Sequence, residues 1–384
     1  MPVKCKVALF LILCCYVLTD CSMSKNTQNT NQDLTIKLRW VKSYPHETQE
    51  KVNEGLKWIL SYLGALLPQE TSEETMVWLD DNLLHLDISK AGFPKASYKE
   101  WNQILQQLRQ TKEYTDLGSL DIGRFVMMSF NSSDSYYVIT GVESTFDAFK
   151  KKYEFVGDRQ EHLLPGQSGV TTGLRKIYSS TGNTIDRIAH MAEEGHGDDP
   201  QTFVAKETEV FDFMLNGQPR FAVYGKDGNL KTGGNPELSF AGKPSKCMWC
   251  HESGVNLPFR LMNTHPDKPE LLSDFKNLVN SQNKILDDYY FNLTETIDTF
   301  RFQKPNHYLA ELLYISYQTP TKQRALNEIY NAGKSDGVID FEIVDSTHHE
   351  FKFLRKLVSR QELDEYLPYK STLDIDARET YLEE

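Results

Sequence analysis

Two cysteines and a histidine are spaced as in sites of covalent porphyrin attachment. The segment reads Cys247-Met248-Trp249-Cys250-His251. The thiols of Cys247 and Cys250 would add to the two vinyl groups of a haem, because two intervening residues let both thiols reach the ring. His251, next to the second thioether, would give a nitrogen to the iron. The pattern predicts one covalent haem c, attached at Cys247 and Cys250 with His251 as the proximal iron ligand.

Three other uses of this Cys pair stay open. A structural zinc site takes four ligands, and the sequence has no second Cys pair to complete one. A thioredoxin-like redox pair opens a helix, whereas Gly254 and Pro258 stop a helix soon after the motif. A structural disulfide between Cys247 and Cys250 is the third alternative. The complete five-residue motif favours haem over all three.

At these five positions the chain resembles the c-type cytochromes of bacteria. The resemblance implies electron transfer through a single haem c that is attached outside the cytoplasmic membrane. Some of these cytochromes carry the haem at the C-terminal end of a β-rich domain, with an extra lysine crosslink to the porphyrin. The order of hairpin and motif is similar here, and the candidates for that lysine are Lys206, Lys226 and Lys231.

The sixth position of the iron would be filled by a Met or His side chain in an electron-transfer protein. Met262 is the first candidate, because the eleven residues beyond His251 can span about 35 Å when extended. Other candidates are His190, His196, Met214, His265 and His307. If the sixth position is open, the protein would instead bind a small ligand or carry out redox catalysis. Without any haem, it would be an interaction lipoprotein whose Cys pair is structural.

The first 21 residues predict export. Lys4 and Lys6 precede an apolar run over residues 7–18, which is typical of a secretory signal and too short for a stable membrane span. The following Thr19-Asp20-Cys21 resembles the end of a bacterial lipobox, with Asp20 where a small residue is usual. We expect lipidation of Cys21 and a place on the periplasmic or cell-surface side of a bacterial membrane. Cleavage without lipidation, or an uncleaved anchor, is the alternative.

Cysteine usage and net charge narrow the class of protein. Cleavage before Cys21 would remove three of the six cysteines, and only Cys21 and the motif pair would remain. An exported chain with so few thiols is not a disulfide scaffold. The formal net charge of −12 argues against a nucleic-acid partner, so we expect a redox partner protein or a small ligand.

Hydrophobic periodicity predicts both helices and strands. Helical stripes cover residues 52–67, 76–84 and 101–108, the last two each preceded by a capping-box pattern. Strands are predicted over 124–130 and 136–140, and a short helix over 146–153. A hairpin is predicted over 207–224, with a type I′ turn at Asn216-Gly217 and Pro219 on an edge strand. Helices are predicted again over 269–288 and 308–331.

These elements predict an α+β fold with a helical N-terminal part, a central β-containing part that presents the haem loop, and a helical C-terminal part. The predicted boundaries are a signal segment (1–21), a flexible tether (22–35), a helical region (36–117), a β-containing domain with the motif (118–262) and a helical region with an acidic tail (263–384).

Overall fold

The computed structural model describes residues 33–40, 48–129, 132–153, 155, 162–164, 175–197, 201–235, 237–238, 243–247, 269–293 and 295–296. Several predictions concern residues outside these ranges. They are the signal segment with its lipidation site, most of the tether, the 308–331 helix, the acidic tail and the residues Cys250, His251, Met262, His265 and His307. Of the haem motif, only Cys247 is described.

Helices and strands both contribute to the described part, which confirms the α+β class. Its α-helices are α1 (Gln49–Tyr62), α2 (Gln69–Thr75), α3 (Tyr98–Arg109), α4 (Lys112–Leu117), α5 (Ile122–Ser129), α6 (Ser133–Thr140), α7 (Phe146–Lys152) and α8 (Pro269–Leu293). Its strands are β1 (Thr35–Arg39), β2 (Met76–Trp78), β3 (Leu83–Asp87), β4 (Leu120–Asp121), β5 (His162–Leu164), β6 (Arg175–Ser179), β7 (Ala189–His196), β8 (Val204–Phe213) and β9 (Pro219–Gly225). None of these helices is both long and apolar enough to cross a bilayer.

The strands form two sheets. The first has the order β2-β3-β1-β4, in which only the β1–β4 pair is parallel. The second has the order β5-β6-β7-β8-β9, and all of its neighbouring strands are antiparallel. An antiparallel sheet that runs in chain order needs only hairpin connections, which is the arrangement expected of an α+β fold.

One hydrophobic core joins the helices to both sheets. Its largest fully buried side chains come from α1, α3, α5, α6 and β9, and they are Trp58, Tyr62, Trp101, Phe125, Tyr136 and Tyr224. A smaller cluster lies on the other side of the second sheet, where Phe275, Val279 and Leu286 of α8 pack on Ile177 and Phe213. The second sheet therefore packs against apolar side chains on both of its faces. This agrees with the buried residues that occur on both faces of its strands.

The outer edge of β9 is satisfied by side chains of α6. The backbone N–H of Phe221 donates to the Tyr136 hydroxyl at 3.1 Å, and that of Val223 donates to the Tyr137 hydroxyl at 3.4 Å. The Tyr137 hydroxyl in turn donates to the carbonyl of Lys231 at 2.6 Å. An edge strand with unpaired peptide groups can pair with a strand of another chain. Over the middle of β9 these hydrogen bonds occupy the peptide N–H groups that such a strand would use.

The hairpin between β8 and β9 has a different turn from the one predicted. The N–H of Met214 donates to the carbonyl of Gln218, and the N–H of Gly217 donates to the carbonyl of Met214, both at 2.8 Å. A type I′ turn requires a positive φ at Asn216, and Leu67 is the only described non-glycine residue that has one. The prediction of a type I′ turn is therefore wrong, and the tip is a three-residue loop with Gly217 at φ +79°. The hairpin itself, and Pro219 on an edge strand, are confirmed.

The predicted helix over 76–84 is also wrong. Met76–Trp78 and Leu83–Asp87 are strands β2 and β3, joined by a turn in which the N–H of Asn82 donates to Asp80 Oδ1 at 2.9 Å. Strand β3 pairs with β1, which is more than 40 residues earlier in the chain. The alternation of Leu84 and Leu86 is therefore explained as a strand pattern only once the pairing with this distant strand is known. Helices α1, α3, α7 and α8 lie where helices were predicted.

The strands predicted over 124–130 and 136–140 are helical over the described residues, which are 124–129 and 136–140. The Ser132 hydroxyl accepts from the N–H of Ser135 at 3.1 Å, so Ser132 caps α6 instead of entering a hairpin turn. The β-forming residues Tyr136, Tyr137 and Ile139 are buried in this helix. Their aromatic and branched side chains favour strands in isolation, and here packing overrides that preference.

A buried ion pair links α7 to the second sheet. Both carboxylate oxygens of Asp212 accept from Arg220, each at 2.6 Å, and one of them also accepts from the Tyr153 hydroxyl. Arg220 donates further to the carbonyls of Thr140 and Gly141, both at 2.8 Å. The site is nearly closed to water, because the Asp212 side chain is only 4% exposed.

Replacing Asp212 by Asn should destabilise the protein by about 3–5 kcal/mol, because the Arg220 charge would stay buried without its counter-charge. Equilibrium unfolding in urea measures this change. Asp147→Asn is the matched control, since Asp147 pairs with Lys150 on the surface and is 92% exposed. Equal unfolding midpoints for the two variants would contradict the assignment of this pair as a main link between α7 and the sheet.

Candidate functional site

Cys247 is the residue of the haem motif whose position the structure gives. It is the last residue of a 3₁₀ turn, Pro244–Cys247, which packs against β9. Pro244 is buried, and Cys247 is half-buried at the border of the main core.

A row of charged side chains crosses one face of the second sheet. Arg175 lies opposite Glu194, Glu194 lies opposite Glu207, and Glu207 lies opposite Gly225. Directly opposed residues on neighbouring strands point to the same face. Glu209 lies two positions further along β8 and therefore shares that face. We call Arg175, Glu194, Glu207, Glu209 and Lys231, whose contact with Glu207 is described below, the charged row.

Arg175 forms ion pairs with two of the three carboxyl groups in the charged row. Its guanidinium forms an ion pair with Glu194, and its Nη2 lies 3.2 Å from Glu209 Oε2. The Arg175 side chain is 13% exposed and the Glu194 side chain 1%. Charges this far from water need close partners, because their desolvation is costly.

Lys231 holds the third carboxyl group. Its Nζ forms an ion pair with Glu207, and the N–H of Asn235 donates to both oxygens of Glu207 at 2.8 and 3.0 Å. The stem of Lys231 passes over Gly225, where an added Cβ would lie 3.5 Å from Lys231 Cδ. The same Cβ would lie only 2.8 Å from Asp227 Oδ1, so the absence of a Cβ at Gly225 leaves room for the Asp227 side chain. Lys231 is thus fixed across the end of β9.

The thiol of Cys247 is electrostatically linked to the charged row. The pKa of Arg175 is raised, because the charges of Glu194 and Glu209, and less strongly that of Cys247, outweigh the lowering by burial. The pKa values of Tyr136 and Tyr137 are raised mainly by burial, and the charge of Cys247 adds to both. An ionised Cys247 thiol would therefore influence the titration of Tyr136, Tyr137 and Arg175.

Glu194 is the most perturbed carboxyl group of the row. Burial raises its pKa to about 8, the charge of Arg175 lowers it, and the nearby Glu209 and Glu207 raise it further. No described residue donates a hydrogen bond to its buried Oε2. The pKa of Glu194 therefore lies close to neutral pH, so this carboxyl group exchanges its proton in a range where an ordinary glutamate is fully ionised.

The described candidates for the sixth iron ligand lie in three different places. His190 is buried in β7, and its ring stacks on Phe211 with 4.7 Å between centroids. His196 is exposed at the end of β7. Met214 is buried at the tip of the β8–β9 hairpin, close to Gly64. The structure brings none of these three together with the others, and which one serves as ligand stays a prediction.

The three candidate crosslinking lysines are in different environments. Lys206 and Lys226 are exposed, whereas Lys231 is half-buried and belongs to the charged row. The sequence analysis did not distinguish Lys231, and it missed Arg175 and Glu194 altogether. The sequence did indicate part of the charged row, because Glu207 and Glu209 are charged residues at alternate positions of a predicted strand. Which face of that strand is buried depends on the neighbouring strands, and the sequence does not state it.

Comparison with known proteins does not assign the chain to a family. No family model matches the chain, and no curated protein or solved structure is significantly similar to it. Within the described residues, His, Cys, Asp and Glu side chains form no group of three or more that could hold a metal ion. That finding does not extend to Cys250 and His251, which lie outside the described ranges.

Glu194→Gln should flatten the dependence of stability on pH. The pKa of Glu194 is higher in the folded chain than its ordinary value of 4.5, so the folded state holds the proton more tightly. Its contribution to stability is therefore fully present below about pH 4.5 and is lost as the pH rises towards about 8. Urea unfolding at several pH values between 5 and 8.5 measures the difference between the variant and the parent protein.

Glu193→Gln is the control for this experiment. Glu193 neighbours Glu194 in β7 but points to the opposite face, where it accepts from the Tyr178 hydroxyl at 3.1 Å. This variant should keep the parent pH profile. If Glu194→Gln keeps it too, Glu194 is ionised throughout that range and the high pKa is refuted.

Proposed function

We propose that the protein is an exported, lipid-anchored c-type cytochrome that carries a single haem and transfers electrons to a partner protein. The observation that carries this proposal is the motif Cys247-Met248-Trp249-Cys250-His251. In it, two thiols and an imidazole have the spacing that attaches a porphyrin by thioethers and ligates its iron. When bound, the haem would supply one-electron redox chemistry.

The surroundings of Cys247 fit an attached porphyrin. Cys247 is half-buried on a short turn, so a ring could bond to its sulfur without entering the core. The adjacent charged row contains a buried carboxyl oxygen, Glu194 Oε2, which lacks a hydrogen-bond donor among the described residues. Cys247, Cys250 and His251 would hold the group, and Met262 is the first candidate for its second axial ligand.

The predicted signal supports the same function. Haem c proteins of bacteria are assembled outside the cytoplasmic membrane, and residues 1–21 have the pattern of a secretory signal with a lipobox-like end. Export therefore puts the motif in the compartment where its chemistry is completed. A lipid on Cys21 would keep the protein at the membrane, where electron-transfer partners are concentrated.

Covalent haem is the first test. The protein produced in a host that matures haem c should keep a haem stain after denaturation, and its alkaline pyridine spectrum should show a c-type α band. The variant with both Cys247→Ala and Cys250→Ala should lose the stain, because thioethers survive denaturation and coordination alone does not. Colourless protein from a host that matures another c-type cytochrome would refute the proposal and leave zinc, a disulfide or a redox dithiol.

Carbon monoxide distinguishes electron transfer from ligand chemistry at the same haem. A reduced, low-spin form that ignores carbon monoxide has a protein side chain in the sixth position, as electron transfer requires. Met262→Ala should then produce a form that binds carbon monoxide, with Met128→Ala as the control, because Met128 is a partly buried methionine that is not a candidate ligand. A high-spin parent protein whose Soret band shifts with carbon monoxide would refute electron transfer as its main role.

Anchoring is tested separately. Cys21→Ala should release the protein from the membrane fraction or block its processing, while the haem stain is kept because the haem motif is intact. Fractionation and the mass of the mature chain measure both effects. A membrane-bound variant of unchanged mature mass would show that Cys21 is not lipidated.

A further inference from the structure

Strand β2 is an edge of the first sheet, and its outer side is open. It pairs only with β3, and the N–H of Leu79, just beyond the strand, donates to the carbonyl of Leu83 at 2.8 Å. Hydrogen-bonded pairs alternate in an antiparallel ladder. Val77 therefore also bonds to β3, whereas Met76 and Trp78 turn their peptide groups outward. No described residue forms a hydrogen bond with the outward N–H and carbonyl of Trp78.

The edge strand of the second sheet shows what β2 lacks. The hydroxyls of Tyr136 and Tyr137 accept from two outward N–H groups of β9. Within the described part of the chain, no side chain does this for β2. Its edge can therefore accept the backbone of another extended segment.

Two apolar side chains are exposed on one face of this edge. Val77 is 43% exposed and Leu79 is 51% exposed, and alternate residues of an extended segment point to the same face. On the opposite face Met76 is buried, and the indole N–H of Trp78 donates to Asn53 Oδ1 at 3.0 Å. An edge strand that avoids other chains usually has a charged residue in a position such as that of Val77. Here the open peptide groups lie beside apolar side chains, which is the combination that strand addition uses.

Both ends of β2 are acidic. Glu73 and Glu74 precede it at the end of α2, and Asp80 and Asp81 follow it in the turn to β3. All four side chains are exposed, and among the described residues only Glu74 of the four has an ion-pair partner. Lys37 is on the same face as Val77 but lies two strands away, in β1. A segment that pairs with β2 therefore meets negative charge at both of its ends.

These acidic ends distinguish between two kinds of occupant. A second copy of the chain that paired through its own β2 would place one acidic end beside another, whichever way the two strands ran. Like charges at close range destabilise such a pair. A segment with basic residues on both sides of an apolar stretch would instead meet opposite charge along its whole length.

We propose that the open edge of β2 binds an extended segment of a partner protein, which adds a strand to the first sheet. The segment has alternate apolar side chains that lie against Val77 and Leu79, and lysine or arginine at both ends. Its backbone pairs with the outward N–H and carbonyl of Trp78. This surface does not involve the haem motif, so the inference goes beyond the proposed function and does not rest on it.

The first experiment uses the full chain and a fluorescently labelled peptide, Lys-Lys-Val-Thr-Val-Thr-Val-Lys-Lys. Fluorescence anisotropy at low ionic strength should show saturable binding, and added salt should weaken it because the end charges are exposed. Hydrogen exchange should slow about tenfold in the fragment that contains Trp78, whose N–H gains a partner. A peptide that does not bind, or that binds without this protection, would overturn the proposal.

Two altered peptides separate strand addition from attraction between charges. One is N-methylated at two adjacent central residues, so that both of its backbone edges are blocked while its side chains and charge are unchanged. The other has glutamate in place of the four lysines. Neither should bind, because the first cannot form the ladder and the second is repelled at both ends. Equal affinity of the parent and N-methylated peptides would mean that charge alone attracts them, and the proposal would fail.

Variants of the protein locate the site. Val77→Lys should weaken peptide binding at least about tenfold, because it places a like charge against the basic segment. Val138→Lys is the matched control, since Val138 is 53% exposed on α6. The double variant Glu73→Gln with Asp81→Asn should also weaken binding and reduce its salt dependence. Circular dichroism confirms that each variant is folded. Equal affinities of Val77→Lys and Val138→Lys would place the peptide elsewhere and refute the assignment.

Sedimentation of the protein without peptide tests the other occupant. The parent chain and Val77→Lys should have the same oligomeric state, because a second copy is not expected at this edge. A parent dimer that becomes monomeric in Val77→Lys would show that a second copy covers β2, and it would overturn the proposed partner.

Discussion

Strand β9 ends the second sheet, and the need to satisfy its outward-facing peptide groups links the rest of the structure. The hydroxyls of Tyr136 and Tyr137 accept from two of its N–H groups, which ties α6 to the sheet. The chain after β9 turns back so that the N–H of Gly225 donates to the carbonyl of Asn229 at 2.8 Å. That return places Lys231 beside Tyr137 and sends the chain on towards Cys247. The turn that ends at Cys247 packs on this same strand, so its position is linked to how an edge strand is protected.

The same sheet carries two buried charge networks on opposite faces. One joins Asp212 and Arg220 to α7, and every polar atom of the Asp212 carboxylate has a donor. The other is the charged row, in which carboxyl groups outnumber cations and Glu194 has a raised pKa. A fully paired network mainly fixes packing, whereas one with a surplus carboxyl group responds to protons and to nearby charge. Asp212 and Arg220 therefore mainly fix packing, whereas the charged row makes stability depend on pH.

The turn that ends at Cys247 lies at the border of the main core, and Cys247 is half-buried. Under the proposed function its thiol must be accessible to a porphyrin, and a half-buried residue beside an edge strand meets that requirement better than a fully buried one. Glu194 and Glu207 of the same sheet are buried. A tether and a lipid on Cys21 would leave this edge free to meet a partner protein.

The sequence by itself determined the spacing of the Cys-x-x-Cys-His motif and the elements whose pattern is local, such as α3, α8 and the β8–β9 hairpin. Periodicity, caps and turn residues lie close together in these segments, so a single chain segment contains the information. It did not determine β3, whose partner β1 is distant, nor α6, whose tyrosines favour strands until the core buries them in a helix. Nor did it show the meeting of Arg175 with Glu194 and Glu209. Strand register decides that meeting, and register depends on long-range pairing between segments that no local pattern specifies.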